Sequence, residues 1–222
     1  MFAETLAMGR YRDECTRSEY LETIVNESER LARLVDNVLD FSKIEQGKKI
    51  FRLRPVRLED IAGSAVRAMQ FPLAQQGFKL HFSAEEDLPE IQADADAIQQ
   101  AILNLLTNAM KYSGDSREID LRLYARNGDA VIEVVDRGLG LAPEEQKHIF
   151  EKFYRAPSHE SQLIAGTGLG LTLVAHIAKA HHGRVEVESA PGAGSRFSIM
   201  IPFRSAQPAL GIVRDSDVEA PA

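Results

Sequence analysis

Ile24, Leu31 and Val38 recur every seven residues, and Leu21, Leu34, Val35 and Phe41 widen the same stripe. That spacing requires a helix running to about Ile44, apolar on one face, with charges such as Glu29, Arg30 and Asp36 around it. Thr16-Arg17-Ser18-Glu19 has the form of a capping box, in which Thr16 and Glu19 satisfy free amides at the helix start. Upstream, Phe2, Ala3 and Leu6 mark the end of another helix, stopped near Gly9. Such a hairpin cannot bury its stripe alone. It either supplies half of a dimeric four-helix bundle or packs on the rest of the chain, and bundles of this type favour the dimer.

After Gly47-Lys48-Lys49 the pattern changes to mixed α and β. Ile50–Val56 has strand character, Leu58 to about Gln75 reads as helix, and Phe78–Phe82 alternates as a strand. Ile91–Ala93 is a short strand, and Asp94 can cap a helix running to about Tyr112. Asn127-Gly128 between Ile119–Ala125 and Ala130–Val135 predicts a hairpin with a type I′ turn. A helix is expected from Pro143 to about Tyr154, then a polar loop from Arg155 to Thr167, then a helix from Gly168 to about His181. Val185–Glu188 and Arg196–Pro202 form a closing hairpin, and the stretch from Ser205 is a tail of low order.

Composition removes several function classes. A net charge of −7 argues against a general nucleic-acid binder, which needs a basic face. A single cysteine, Cys15, excludes an internal disulfide and a four-Cys zinc module, and favours a cytoplasmic setting. No apolar stretch approaches the roughly 18 residues of a membrane span, and no signal peptide opens the chain. At 222 residues, with about 150 per domain, one to two domains are expected.

The chemistry is concentrated in three segments. Asn104, Asn108 and Lys111 fall at i, i+4 and i+7, on one helical face. Two amides and an ammonium suit an anion with its metal: an Asn oxygen can ligate Mg²⁺, and Lys is a mobile charge for a terminal phosphate. Taken alone, the same face is equally a solvated one. Asp136-Arg137-Gly138-Leu139-Gly140 follows an apolar strand; its glycines allow close backbone approach, and its carboxylate can accept from an exocyclic amine such as that of adenine. Gly166-Thr167-Gly168-Leu169-Gly170 opens a helix whose first amides favour phosphate. There is no G-x-x-x-x-G-K-[ST], and Leu171 stands where a dinucleotide fingerprint needs its third glycine.

In this order the segments resemble the bacterial two-component sensor histidine kinases. The chain is similar to them in an N box (Asn104 to Ser113), a first glycine box (Asp136 to Gly140), an F box (Phe150-Glu151-Lys152-Phe153-Tyr154-Arg155) and a second glycine box (Gly166 to Leu171). Asp36 to Glu45 looks like the second helix of the family's dimerisation and phosphotransfer domain, and the resemblance runs from residue 1 to about 203. It implies an α+β chain: a helical hairpin of the dimeric four-helix-bundle type, then an α/β sandwich of the gyrase, chaperone and histidine-kinase type, with helices on one face of a mixed sheet. The implied division is 1–49 for a truncated dimerisation and phosphotransfer hairpin, 50–204 for the catalytic ATP-binding domain, and 205–222 for the tail. The resemblance also implies roles. Asn108 holds Mg²⁺ with Asn104 beside it, Lys111 reaches the phosphates, and Tyr112 lies against the adenine. Asp136 binds the adenine amino group, in a pocket shaped by Gly138 and Gly140. Phe150, Phe153, Arg155 and the loop to Thr167 form a lid over ATP, although core packing also accounts for the two phenylalanines. Gly166, Gly168 and Gly170, with Leu169 among them, bring the end of the lid near the phosphates. Implied partners are a second copy through the hairpin and a response-regulator receiver domain; a membrane would be met only through segments upstream of this stretch.

One position separates kinase from hydrolase. The gyrase and chaperone branch has a Glu one turn before the metal-binding Asn, as general base toward water. Here that position is Asn104, which cannot take a proton, so transfer to an incoming neutral imidazole is the expected reaction. The family's acceptor histidine lies on the first hairpin helix in a segment like H-E-x-R-T-P-L, but no histidine precedes His81. His81 is read as strand, His148 as helix before the lid, and His159 as lid. His176, His181 and His182 read as a capped helix end at the surface. A fragment of a longer kinase is expected in preference to a natural loss of the acceptor. The alternative function is a non-catalytic dimerisation and partner-docking module that binds nucleotide only.

Overall fold

The computed structural model describes residues 2–46, 48–156 and 167–203. Helix α1, Phe2–Ala7, ends as expected: Gly9 takes φ +62° and the Arg10 amide donates to the Thr5 carbonyl at 2.9 Å, a left-handed closure that glycine permits. Helix α2 runs Glu14–Glu45, three residues longer at its start than the Thr16 capping box predicts. Asp13 is the cap instead: its Oδ1 accepts from both the amide and the hydroxyl of Thr16 at 2.8 Å. A carboxylate at the positive end of a helix outcompetes a neutral hydroxyl for the same amides. Phe2 packs on Tyr20 across the hairpin, with ring centroids 5.0 Å apart. Ile24 is half-buried, whereas Leu21, Val25, Val35 and Leu39 are exposed. The side chains of Leu31, Leu34, Val38 and Phe41 lie outside the described set.

The expected strand Ile50–Val56 shrinks to β1, Arg54–Val56, and Ile50 is 85% exposed. Helix α3 spans Leu58–Gln75, β2 Lys79–Ala84, β3 Ile91–Ala93 and α4 Ala95–Tyr112. Strand β1 pairs antiparallel with β3, Arg54 opposite Ala93. The ladder stops there because the next residue, Asp94, turns into the cap of α4 and takes the Arg52 amide on its carboxylate at 2.9 Å. Strands β4, Glu118–Arg126, and β5, Asp129–Asp136, meet through Asn127 (φ +54°) and Gly128 (φ +87°), the two positive angles of a type I′ turn. Helix α5 is Pro143–Gln146 only, followed by turns in which His148 sits, where a helix to Tyr154 was expected. The chain bends back there because Phe153 takes φ +61° and donates its amide to Gly168, while the Thr172 hydroxyl donates to the Glu151 carbonyl at 3.1 Å. Helix α6, Gly170–Ala180, begins two residues later than expected, since Gly168 is held at φ +71°. Strands β6, Arg184–Ala190, and β7, Gly194–Pro202, close the fold as an antiparallel pair.

The main sheet has the order β2-β4-β5-β7-β6, with β2 and β4 parallel and the other pairs antiparallel. Strand alternation divides its faces. Leu121, Leu123, Ile132, Val134 and Ile199 join Ile98, Ile102, Leu105, Leu173 and Ile177 of α4 and α6 in one core. On the opposite face Glu133 is buried beneath Arg122, Arg196 and the Tyr124 hydroxyl. The result is the expected α+β arrangement, a helical hairpin joined to helices packed on a mixed sheet. No helix among the described residues is long and apolar enough to cross a membrane.

Candidate functional site

Helix α4 turns Ala97, Ile98, Ala101, Ile102, Leu105, Leu106 and Ala109 into the core. The same 3.6-residue period leaves Asn104 and Asn108 half-buried and Lys111 exposed on another face. Asp94 caps the helix, its Oδ1 accepting the Ala97 amide at 3.1 Å. The Asn104 amide group donates to the Gln100 carbonyl at 3.1 Å, which leaves its Oδ1 directed at the start of α6. That oxygen lies 3.3 Å from where a Cβ on Gly170 would fall. The first turn of α6, with its free amides and positive dipole end, therefore stands against the Asn face of α4.

Strand β5 delivers Asp136, only 4% exposed, to the other end of α4. Its Oδ1 accepts the Gly138 amide at 2.9 Å, and the Leu139 amide donates to the Tyr112 carbonyl at 3.0 Å. Gly140, at φ +67°, passes so near the β6–β7 turn that a Cβ would sit 1.9 Å from the Ala190 carbonyl oxygen. Burial pushes the Asp136 carboxyl above its ordinary value, opposed by the Gly138 and Ser195 amides. Burial also raises the Tyr112 phenol, and the nearby Arg155 charge opposes it, which puts Arg155 on this side of the site.

Phe150 is half-buried and packs on the core, whereas Phe153 is 68% exposed; core packing explains one phenylalanine and not the other. Gly168 lies so close to Phe153 that a Cβ would come within 2.6 Å of its backbone. Thr167 is half-buried and Leu169 buried at the root of α6, while Gly166 and His159 lie outside the described residues. The site thus brings Asn104 to Gly170, Tyr112 to Asp136, Gly138 and Arg155, and Phe153 to Gly168.

His181 departs from the surface reading. It is 2% exposed, its Nδ1 donating to the Ile177 carbonyl at 2.7 Å and its Nε2 accepting the Asp94 amide at 2.9 Å. Its spacing from Val174, Ile177 and Ala178, all buried, is the sequence signal that it faces inward.

Comparison with known proteins follows the same division. Residues 1–47 match the family described as His Kinase A (phospho-acceptor) domain, and residues 93–205 match Histidine kinase-, DNA gyrase B-, and HSP90-like ATPase. The Non-motile and phage-resistance protein of Caulobacter vibrioides is 35% identical over 189 residues, covering 83% of this chain and 22% of its own length. Sensor-like histidine kinase SenX3 of Mycolicibacterium smegmatis is 31% identical over 190 residues, covering 86% of this chain and 49% of its own length. The chain thus spans less than half the length of these curated relatives. The structure of full-length ShkA in complex with AMPPNP matches with TM-score 0.71 at 29% identity, over 88% of this chain and 40% of that one. With a phospho-acceptor-type hairpin at one end and this ATPase fold at the other, the chain belongs to the histidine kinase family, as a C-terminal region of a two-component sensor kinase.

Proposed function

We propose that this chain binds Mg-ATP and transfers its γ-phosphate to a histidine that residues 1–47 do not contain. The carrying observation is the meeting of the Asn face of α4 with the first turn of α6, at Asn104 and Gly170. In this reading Asp136 accepts from the adenine amino group, in a pocket whose walls are Gly138, Gly140 and Tyr112. Lys111 and the leading amides of α6 hold the phosphates, and Gly166 to Gly170 anchor a lid that includes Phe150, Phe153 and Arg155.

No group of three or more His, Cys, Asp or Glu suited to a metal exists among the described residues. Amide oxygens alone hold Mg²⁺ weakly, so the donors fit an ion that arrives coordinated by phosphates, with Asn108 as ligand and Asn104 beside it. When bound, Mg²⁺ supplies neutralisation of phosphate charge. Asn104 takes no proton, so water is not activated from that position. A neutral imidazole needs no base: its unprotonated ring nitrogen bonds to the γ-phosphorus as the bond to the β–γ bridging oxygen breaks, ADP leaves with the electron pair, and the single proton on the other ring nitrogen passes to solvent. The site's contribution is alignment and charge.

Division at 49 and 204, with a homodimer through α1 and α2, completes the proposal. Exposed Leu21, Val25, Val35 and Leu39 lie within one arc of α2 and support a second copy as their cover. A response-regulator receiver domain would dock on that bundle. Titration with an ATP analogue and Mg²⁺ tests the premise, and absence of binding would sink it. Labelled ATP incubated with a separate acceptor-bearing helical fragment should label the fragment; binding without transfer would leave a nucleotide-binding module.

A further inference from the structure

Three pieces of chain meet on one imidazole and one carboxylate. From the end of α6, His181 donates through Nδ1 to its own helix at Ile177 and accepts the Asp94 amide through Nε2. From the start of α4, the Asp94 carboxylate takes the Ala97 amide on one oxygen and the Arg52 amide on the other. From the connector that leaves α2, Phe51 sets its ring edge-on to His181, with centroids 5.6 Å apart at 71°, and Lys49 Nζ stands 5.6 Å from the centre of the Phe51 ring. This arrangement requires the neutral tautomer with its proton on Nδ1. A second proton, on Nε2, would point at the Asp94 N–H and remove its acceptor.

We propose that Asp94 and His181 form a joint that fastens the connector from the helical hairpin to the nucleotide helix α4, and that the joint holds only while His181 is neutral. His181 is then a positioning residue, acting through Asp94. Its effect on nucleotide rests on the function proposed above, whereas the joint itself does not. The geometric reason is that two polar contacts bracket the apolar packing of α4 on α6: Gly170 meets Asn104 near the phosphate end, and His181 holds Asp94 at the other. Release of the second contact frees α4 to tilt against α6 and changes the first. The titratable and charged groups facing the ring are the Asp94 carboxylate, His182 and, beyond Phe51, the Lys49 ammonium. Burial lowers the His181 pKa, the Ile177 hydrogen bond and the Asp94 charge oppose this, and His182 adds to the lowering. For Asp94, burial pushes upward, but the amides of Arg52 and Ala97 hold the carboxyl below its ordinary value.

The test uses the full chain and three variants. His181→Gln keeps an acceptor for the Asp94 amide but does not titrate. His181→Phe keeps a ring without an acceptor. Asp94→Ser keeps a helix cap and removes the acceptor of the Arg52 amide. Ring ¹⁵N spectra should show the Nδ1–H tautomer persisting below the pH at which ordinary histidines protonate. The residue-94 amide should exchange slowly in wild type and His181→Gln, and about tenfold or more faster in His181→Phe. The Arg52 amide should lose protection in Asp94→Ser. Mg-ATP affinity, as the ratio of wild type to His181→Gln followed from neutral pH down through the His181 titration seen in the ¹⁵N spectra, cancels protonation of the nucleotide itself and should drop by about threefold or more as His181 titrates. A flat ratio across that titration, or an unprotected residue-94 amide in wild type, would overturn the joint. If wild type binds no nucleotide, the functional reading fails, and the tautomer and the two amides still decide the joint. If His181→Phe does not fold, the His181→Gln and Asp94→Ser arms decide it.

Discussion

The carbonyl oxygen of Tyr112 lies 1.9 Å from the point that a Cβ on Gly138 would occupy. Both atoms belong to backbone, so no rotamer change relieves the clash. Gly138→Ala must push the loop off the end of α4 and break the Leu139–Tyr112 hydrogen bond. We expect a loss of about 2–4 kcal/mol by thermal unfolding, in the range of other overpacking and lost-bond effects, with loss of ATP-analogue binding. Gly63→Ala, inside α3 with Arg67 Nη1 at an ordinary 3.4 Å, should instead stabilise by about 0.5–1 kcal/mol.

Asp136 is a buried carboxylate whose pKa is raised on folding. The folded state therefore holds this proton at pH values where the unfolded chain has released it. Stability falls as pH rises from the ordinary 3.8 through the raised folded value. Asp136→Asn keeps the acceptor for Gly138 and removes the buried charge. Unfolding at neutral pH should require as much free energy as in wild type or more, while affinity for an adenine nucleotide falls about 10- to 100-fold, as for a lost charged hydrogen bond. A loss of stability together with unchanged affinity would contradict the assignment.

His182 follows the end of α6 with φ +56°, a left-handed position where glycine carries no Cβ penalty. His182→Gly should raise stability by about 0.5–1 kcal/mol, a shift of a few degrees in Tm measured by calorimetry.

Asn108 is the proposed metal ligand. Chelating Mg²⁺ should weaken ATP-analogue binding to wild type. Asn108→Ala should bind as the chelated protein does, with or without the ion, a loss of about tenfold. A normal response of Asn108→Ala to Mg²⁺ would remove the residue from that role.

Asn104→Glu places a proton acceptor where the hydrolase branch carries one. Phosphate release from ATP should rise by roughly tenfold or more, the low edge of what a positioned base supplies. Transfer to an acceptor fragment should fall as water competes.

Local chemistry that ends within a few residues was legible in the sequence. Asp94 and Ala97 define the start of α4, and Asn127-Gly128 defines the β4–β5 turn, through hydrogen bonds and dihedral preferences carried in the adjacent residues themselves. Pro143 correctly marked a helix start. Its end did not show, because it is made by Gly168 and Thr172, which hold Phe153 and Glu151 from across the loop. Thr16 misled for a different reason: two caps overlap there, and the charged one prevails. His181 was on an apolar face, but its partner amide is 87 residues away in sequence. Periodicity assigns a face and cannot name the residue opposite.

Helix α4 has 18 residues and hence a length of about 27 Å, with Asp94 before its first residue and Tyr112 at its last. Such a rod is a lever. Pivoting it by about 2° moves the far end by about 1 Å, and displacement of that size at a reacting centre can change a rate about a hundredfold. A switch built on this helix would need no visible rearrangement. Two crystal structures of its on and off states could superpose within ordinary side-chain scatter, and the difference between them would be an angle.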